Sequence, residues 1–243
     1  MLLFFLRQPD TFECCVVSPI FSNAAQRSFA APLPAAWPVL KDAYIAFAEA
    51  LKLFREGSDR EGGIIGNAHL RHASSAMETV RSLPGESSQD AAVCLTLGMA
   101  LAMFVYYTIG IGVSATSQYC LSRTAPFITN VVLDPDNEPL LSYLVLMEIM
   151  DCFAHRRKPT LRIPPRQYRH ADRHLGLCIP LLPYFYDFCV INHSLASATD
   201  ANLMAHLIQQ LDGIHAAVEA WQLSQPDDLI QQFEAPDVIH LLA

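Results

Sequence analysis

The sequence predicts an all-α, single-domain protein of about eight to ten helices packed in antiparallel pairs. Apolar residues recur every three or four positions over several long stretches, the spacing that lines one face of a helix. No stretch alternates apolar and polar residues as a half-buried strand would. Proline, glycine and Asp/Asn clusters fall where the helical stretches end.

Residues 1–36 carry Pro9, Pro19, Pro32 and Pro34 among small and apolar residues without a sustained period, so they are read as irregular. Regular structure is expected from Trp37 onward, and residues 37–243 are taken as one helical domain. Leu40, Tyr44, Phe47, Leu51 and Phe54 line the first helix, which Gly57 ends. Leu70, Ala73, Met77 and Val80 line a second, closed by Pro84-Gly85. Ser87-x-x-Asp90 is similar to a capping box and opens a third over residues 89–109, because the Ser87 oxygen can accept a free first-turn N–H. Gly110 and Gly112 punctuate it, and a fourth helix spans residues 113–128 before the turn Asp134-Pro135-Asp136-Asn137.

The fifth helix, residues 138–157, starts acidic and ends basic, which suits the helix dipole, and Pro159 stops it. A short helix from Pro165 through His174, another over residues 181–191 and a long one capped by Thr199 follow. The long helix carries the stripe Leu203, Leu207, Leu211, Ile214, Val218 and Trp221. Two short helical pieces, residues 229–233 and 237–242, complete the count.

A chain of 243 residues that is 52% hydrophobic and 16% charged buries a sizeable core and is not of the disordered class. The net charge of −8 excludes nucleic-acid binding by the surface as a whole. Any basic surface is local, since seven of the 16 Lys and Arg residues lie within residues 156–173. The seven cysteines form no C-x-x-C pair and are read as reduced core thiols of an intracellular protein, with no metal cluster among them. Met1 to Leu6 is too short for the apolar region of a signal peptide. Residues 91–121 contain no charge and are long enough to span a bilayer, but the glycines and Ser/Thr residues of the second half divide them into two buried helices, so no membrane span is expected.

No catalytic motif is found. There is no G-x-S-x-G elbow, and Gly110-x-Gly112 lacks the third glycine and the strand of a dinucleotide site, so no cofactor is expected. His170 and His174 share a helical face but lack a third metal ligand, and His69/His72 is a weaker pair still. Glu148 and Asp151, three apart, are expected to form a latch with Arg162, Arg173 or another cation of the basic segment. The basic run from His155 to Lys158 suits a helix C-terminus and is also compatible with a nuclear-import signal. For an apolar ligand, the candidate pocket residues are Met103, Tyr107, Glu148 and Tyr186, the tyrosines offering polar handles. Plain core packing is the commoner role for such side chains.

Read together, Glu148-x-x-Asp151-Cys152, the run Arg156 to Arg162, Asp172-Arg173-x-Leu175-Gly176-Leu177 and Leu181-Leu182-Pro183-Tyr184-x-Tyr186-Asp187 resemble the regulatory middle region of fungal binuclear zinc-cluster transcription factors. The resemblance spans roughly residues 70–243 and includes the long helix ending in Trp221. It implies an α-helical effector domain that receives signals, sterols in some members, and transmits them to DNA-binding and activation functions. The family's zinc cluster is not found in this sequence, and its pattern continues past the position matching Ala243, so the chain corresponds to the middle of such a protein. The expected role is thus a transcription-regulator-like effector domain in the nucleus or cytoplasm. It would work through a protein of the transcription machinery or a DNA-binding regulator, or through sensing of an apolar small molecule, without binding specific DNA itself. The alternative is a stand-alone apolar small-molecule binder, or an enzyme on the same helical fold, in fungal secondary metabolism.

Overall fold

The computed structural model describes residues 29–30, 33–55, 67–110, 112–128, 138–163 and 181–223. Among the described residues the protein is all-helical, with seven helices and no strand. They are α1 (Leu33–Arg55), α2 (Asn67–Ser82), α3 (Ser88–Thr108), α4 (Val113–Ile128), α5 (Glu138–His155), α6 (Leu182–Ser197) and α7 (Ala201–Leu223). The count is slightly below the expected eight to ten; the short helices expected near Pro165 and beyond Pro226 lie outside the described residues.

The first helix starts at Leu33, before the boundary expected at Trp37, and breaks at Ala36 (φ −116°, ψ 18°). Pro38 accounts for the break: it has no N–H to donate and its ring crowds the carbonyl four residues back. Ahead of α1, Phe29 is fully buried, stacked on Tyr44 at 4.3 Å between ring centroids and edge-on to Phe47 at 5.6 Å. The Tyr44 hydroxyl donates to the Phe29 carbonyl. Part of the segment read as irregular therefore belongs to the core.

α3 is the centre of the fold, packed against α1, α2, α4 and α5. Its entry is the expected capping box: the Asp90 N–H donates to Ser87 Oγ at 3.1 Å, and the Ser87 N–H donates to Asp90 Oδ2 at 3.2 Å. At its exit Gly110 takes φ +75°, a conformation that favours glycine, and donates its N–H to the Val105 carbonyl at 3.0 Å. The helix is apolar all round because it is enclosed. By length and composition it is the one described helix that could cross a membrane, yet two-thirds (67%) of its most apolar stretch is buried in the protein. Losing the cap would free first-turn donors at the helix on which the others pack. Ser87→Ala is expected to lower unfolding free energy by about 1 kcal/mol, measured by urea denaturation followed by helical circular dichroism.

α3 and α4 approach closely at Gly98. A Cβ placed there would lie 2.7 Å from Cys120 Sγ, 3.0 Å from Cys120 Cβ and 3.3 Å from Leu144 Cδ1, so glycine admits both neighbouring helices. Buried hydroxyls in this region return to their own helices. Thr96 donates to the Ala92 carbonyl, Ser117 to that of Val113 and Thr124 to that of Cys120.

α5 and α6 continue the core through Leu140, Leu144, Ile149, Leu182 and Cys189, and α7 lies along α6. Its N-cap is Asp200, whose carboxylate accepts from Asn202 N at 2.9 Å, rather than the expected Thr199. Of the stripe read on α7, Leu207 is buried and Leu211, Ile214 and Val218 are half-buried, whereas Leu203 is exposed.

Candidate functional site

The most connected polar site lies where α5 runs into the basic link. α5 ends through Arg156, which takes φ +52°, while the Arg157 N–H donates to the Cys152 carbonyl at 2.9 Å, closing the last turn. The link then runs extended: Leu161 and Ile163 enter the core and Arg162 between them faces out. This alternation carries Thr160 to Glu148, one of the most deeply buried acidic side chains described, at 2% exposure.

Glu148 accepts the Thr160 N–H at 3.1 Å to each carboxylate oxygen and the Thr160 hydroxyl at Oε1. Burial pushes its carboxyl above the ordinary range and the charge of Asp151 adds to this, while the bonds from Thr160 oppose it. Two thiols lie near it. Cys152 is pushed up to about 12 and Cys189 up to about 11, first by burial and then by the Glu148 charge, so neither is a thiolate at neutral pH.

The expected latch is present for Asp151, through a cation of the basic segment, whereas Glu148 is held by Thr160. Asp151, not Glu148, takes the cation: Arg157 Nη2 lies 2.5 Å from its Oδ2 and His155 Nδ1 3.2 Å from its Oδ1. Arg162 makes a two-pronged pair with Asp187 of α6, at 2.8 Å and 2.7 Å. His193 Nδ1 lies 2.8 Å from the Arg156 carbonyl. The helix, link and next helix are thus clamped at Thr160, Arg162 and His193. Arg173, the other partner considered, lies outside the described residues, as do the side chains of His69, His170 and His174.

The four residues nominated for an apolar ligand fall into two groups. Glu148 and half-buried Tyr186 are close enough for the Glu148 charge to raise the Tyr186 phenol, although burial and Asp187 act on it more strongly. Met103 is fully buried and accepts the Tyr143 hydroxyl at its sulfur, 2.9 Å away. Tyr107, one turn along α3, packs its ring among Phe47 (6.2 Å), Phe54 (4.9 Å) and Tyr106 (5.5 Å). These contacts place Met103 and Tyr107 in the α1–α3–α5 packing. The described hollow nearest Tyr186 is an open groove of about 400 Å³ between α6 and α7, lined by Tyr184, Asp187, Ile191, Gln210, Gly213 and Ile214.

One constellation escaped the sequence reading. Asp42 of α1 accepts from Ser75 Oγ at 2.5 Å and lies 2.9 Å from His72 Nδ1, both on α2. The residue types are those of a nucleophilic triad, but the order is not. Asp42 stands between Ser75 and His72, so the imidazole is bonded to the acid and not to the hydroxyl it would have to deprotonate. The Ser75 bond, with His72 and Lys41 assisting, holds the Asp42 carboxyl below the usual range against burial. The group clasps α1 to α2. Its sequence signal was only Ser75 and His72 three apart on one helix, with the acid 30 residues from the imidazole. Among the described residues, no three His, Cys, Asp or Glu side chains converge in a way that could hold a metal ion.

Comparison with family models, with curated proteins and with solved structures finds no match for this chain. Among the described residues, the fold and site define an all-helical protein with a clamped helix–link–helix unit.

Proposed function

We propose that the chain is a regulatory effector module that acts through protein contacts, in the manner of the middle region of zinc-cluster transcription regulators. Its partner would be a component of the transcription machinery or a separate DNA-binding regulator, met in the nucleus or cytoplasm. One observation carries this reading. On the outer side of the clamp, Met150 and Phe153 of α5 are 60% and 53% exposed, and Phe153 stacks at 5.0 Å on Phe188 of α6 beside exposed Phe185. Large apolar side chains grouped on a braced surface are the composition of a contact site, and aromatic and Met residues are enriched at such sites. Glu148–Thr160 and Arg162–Asp187 hold the two helices behind this face, so it meets a partner without first being ordered.

The test is to tether the full chain to a heterologous DNA-binding module and read a reporter gene in a fungal cell. The reading expects a change in transcription that is lost on Phe153→Ser with unchanged helical circular dichroism. A reporter indifferent to the tethered chain would refute it.

The groove between α6 and α7 supports a second reading, a binder of an apolar small molecule. Its volume of about 400 Å³ is within the range of small-molecule sites. Gly213 and Ala217 leave it open on the α7 side, and Tyr184 and Asp187 supply polar groups. Under this reading Gly213→Phe fills the groove and abolishes binding of a fluorescent apolar probe such as an anilinonaphthalene sulfonate. Equal binding by wild type and variant would refute it.

A further inference from the structure

The four cysteines described in the structure are all buried and free, and they fall on facing helices: Cys94 and Cys120 on α3 and α4, Cys152 and Cys189 on α5 and α6. The first two thiols act on one another electrostatically. Cys94 Sγ also reaches the Cys120 carbonyl at 4.0 Å. Cys120 Sγ is seated in the notch left by Gly98, one turn along α3 from Cys94. The notch therefore holds the α4 sulfur on the face of α3 from which Cys94 projects. Bringing the sulfurs to the bonding distance of about 2.05 Å requires a shift of side chains within an existing contact.

We propose that Cys94 and Cys120 are an oxidisable dithiol, the site at which a hydroperoxide modifies this protein by stapling α3 to α4. In the first step the Cys94 thiolate attacks one peroxide oxygen and the O–O bond breaks. The released hydroxide takes a proton and leaves as water, and Cys94 becomes a sulfenic acid. In the second, the Cys120 sulfur attacks the Cys94 sulfur, the S–O bond breaks, and hydroxide leaves with the Cys120 proton as a second water. Two thiols and one hydrogen peroxide become one disulfide and two waters, the two electrons passing from the sulfurs to the peroxide.

The two sulfurs are unequal in the sense this sequence needs. The neighbouring Cys120 side chain lowers the Cys94 thiol against its burial, and the charge of Arg123 assists. Burial and the neighbouring Cys94, its charge included, push Cys120 up, so Cys94 reacts first; that charge is gone once Cys94 is a neutral sulfenic acid, and Cys120 attacks second. Arg123 is held at the turn before α3, where it donates to the Leu83 carbonyl and packs against Gly85. That turn is at the surface, with Pro84, Glu86 and Ser87 exposed, so local opening there gives a water-sized oxidant its path to Cys94. Cys152 and Cys189 supply an internal comparison, since both thiols are raised and stand near the Glu148 carboxylate.

The experiment treats the reduced full chain with graded hydrogen peroxide at neutral pH, alkylates the remaining thiols and digests with trypsin. Cys94 and Cys120 fall in one tryptic peptide, residues 82–123, which holds no other cysteine. The proposal expects this peptide to lose two hydrogens and both alkyl groups at a dose about tenfold below that at which Cys152 or Cys189 stops being alkylated. In Cys120→Ser the reaction is expected to stop at the sulfenic acid, captured on Cys94 by a 1,3-dione. In Cys94→Ser, Cys120 is expected to stay reduced at that dose. A peptide that stays doubly alkylated while Cys152 and Cys189 are oxidised overturns the proposal, and the wild-type result stands whether or not the variants fold.

Discussion

Glu148→Ala is expected to lower the unfolding free energy by about 3 kcal/mol, as the sum of an unpaired Thr160 N–H, an unpaired Thr160 hydroxyl and a small void. Glu148 is 2% exposed and accepts both Thr160 groups, so nothing from solvent replaces it. The pH response separates this site from an ordinary surface acid. Because burial raises the carboxyl in the fold, folding takes up a proton between its ordinary value and its raised one. The stabilising contribution is complete below the ordinary value and declines as pH rises through the raised one. Glu148→Gln removes that decline and keeps one acceptor oxygen. Urea denaturation over a pH series reads both effects, and wild type and Glu148→Gln running parallel over the whole series would contradict the assignment.

Gly98→Ala is the second large expected effect. Alanine favours a helix interior over glycine by about 1 kcal/mol, but a Cβ 2.7 Å from Cys120 Sγ and 3.0 Å from Cys120 Cβ forces α3 and α4 apart, at about 3 kcal/mol. Overpacking wins, and a net loss of about 2 kcal/mol is expected. Combining the change with Cys120→Ala removes the sulfur from the notch. The double variant is therefore expected to recover at least about 1 kcal/mol over the sum of the single changes. Strict additivity in equilibrium denaturation would show that Gly98 and Cys120 are not in the described contact.

Features encoded within a few residues were legible in the sequence. The Ser87/Asp90 box, the break at Gly110 and the span 113–128 are set by local backbone chemistry, and the helices begin and end there. The cap of α7 was one residue off because Thr199 and Asp200 both offer a capping oxygen, and only geometry shows that Asp200 is used. The site was harder to read. Glu148 was nominated correctly as an acid needing a partner, but the choice of Thr160, 12 residues on, depends on the extended link turning back along α5. Arg162 and Asp187 are 25 residues apart, and seven nearby cations competed for each acid when read in one dimension. Met103 and Tyr107 followed a helical period that does not distinguish a pocket wall from a core. In the structure they pack against Tyr143 and Phe47.

The central place of α3 bears on how the chain assembles. Its principal packing partners, α1, α2, α4 and α5, are each within two helices of it in chain order, and α7 adds only its neighbour α6. Among the described helices every major closure thus spans no more than one intervening helix, which keeps the entropy of loop closure low. Such low contact order favours rapid folding from local nuclei. A nascent chain on the ribosome can complete the α1–α3 pairing before α5 has been synthesised, so one face of the most apolar helix is covered while the rest of the protein is still being made.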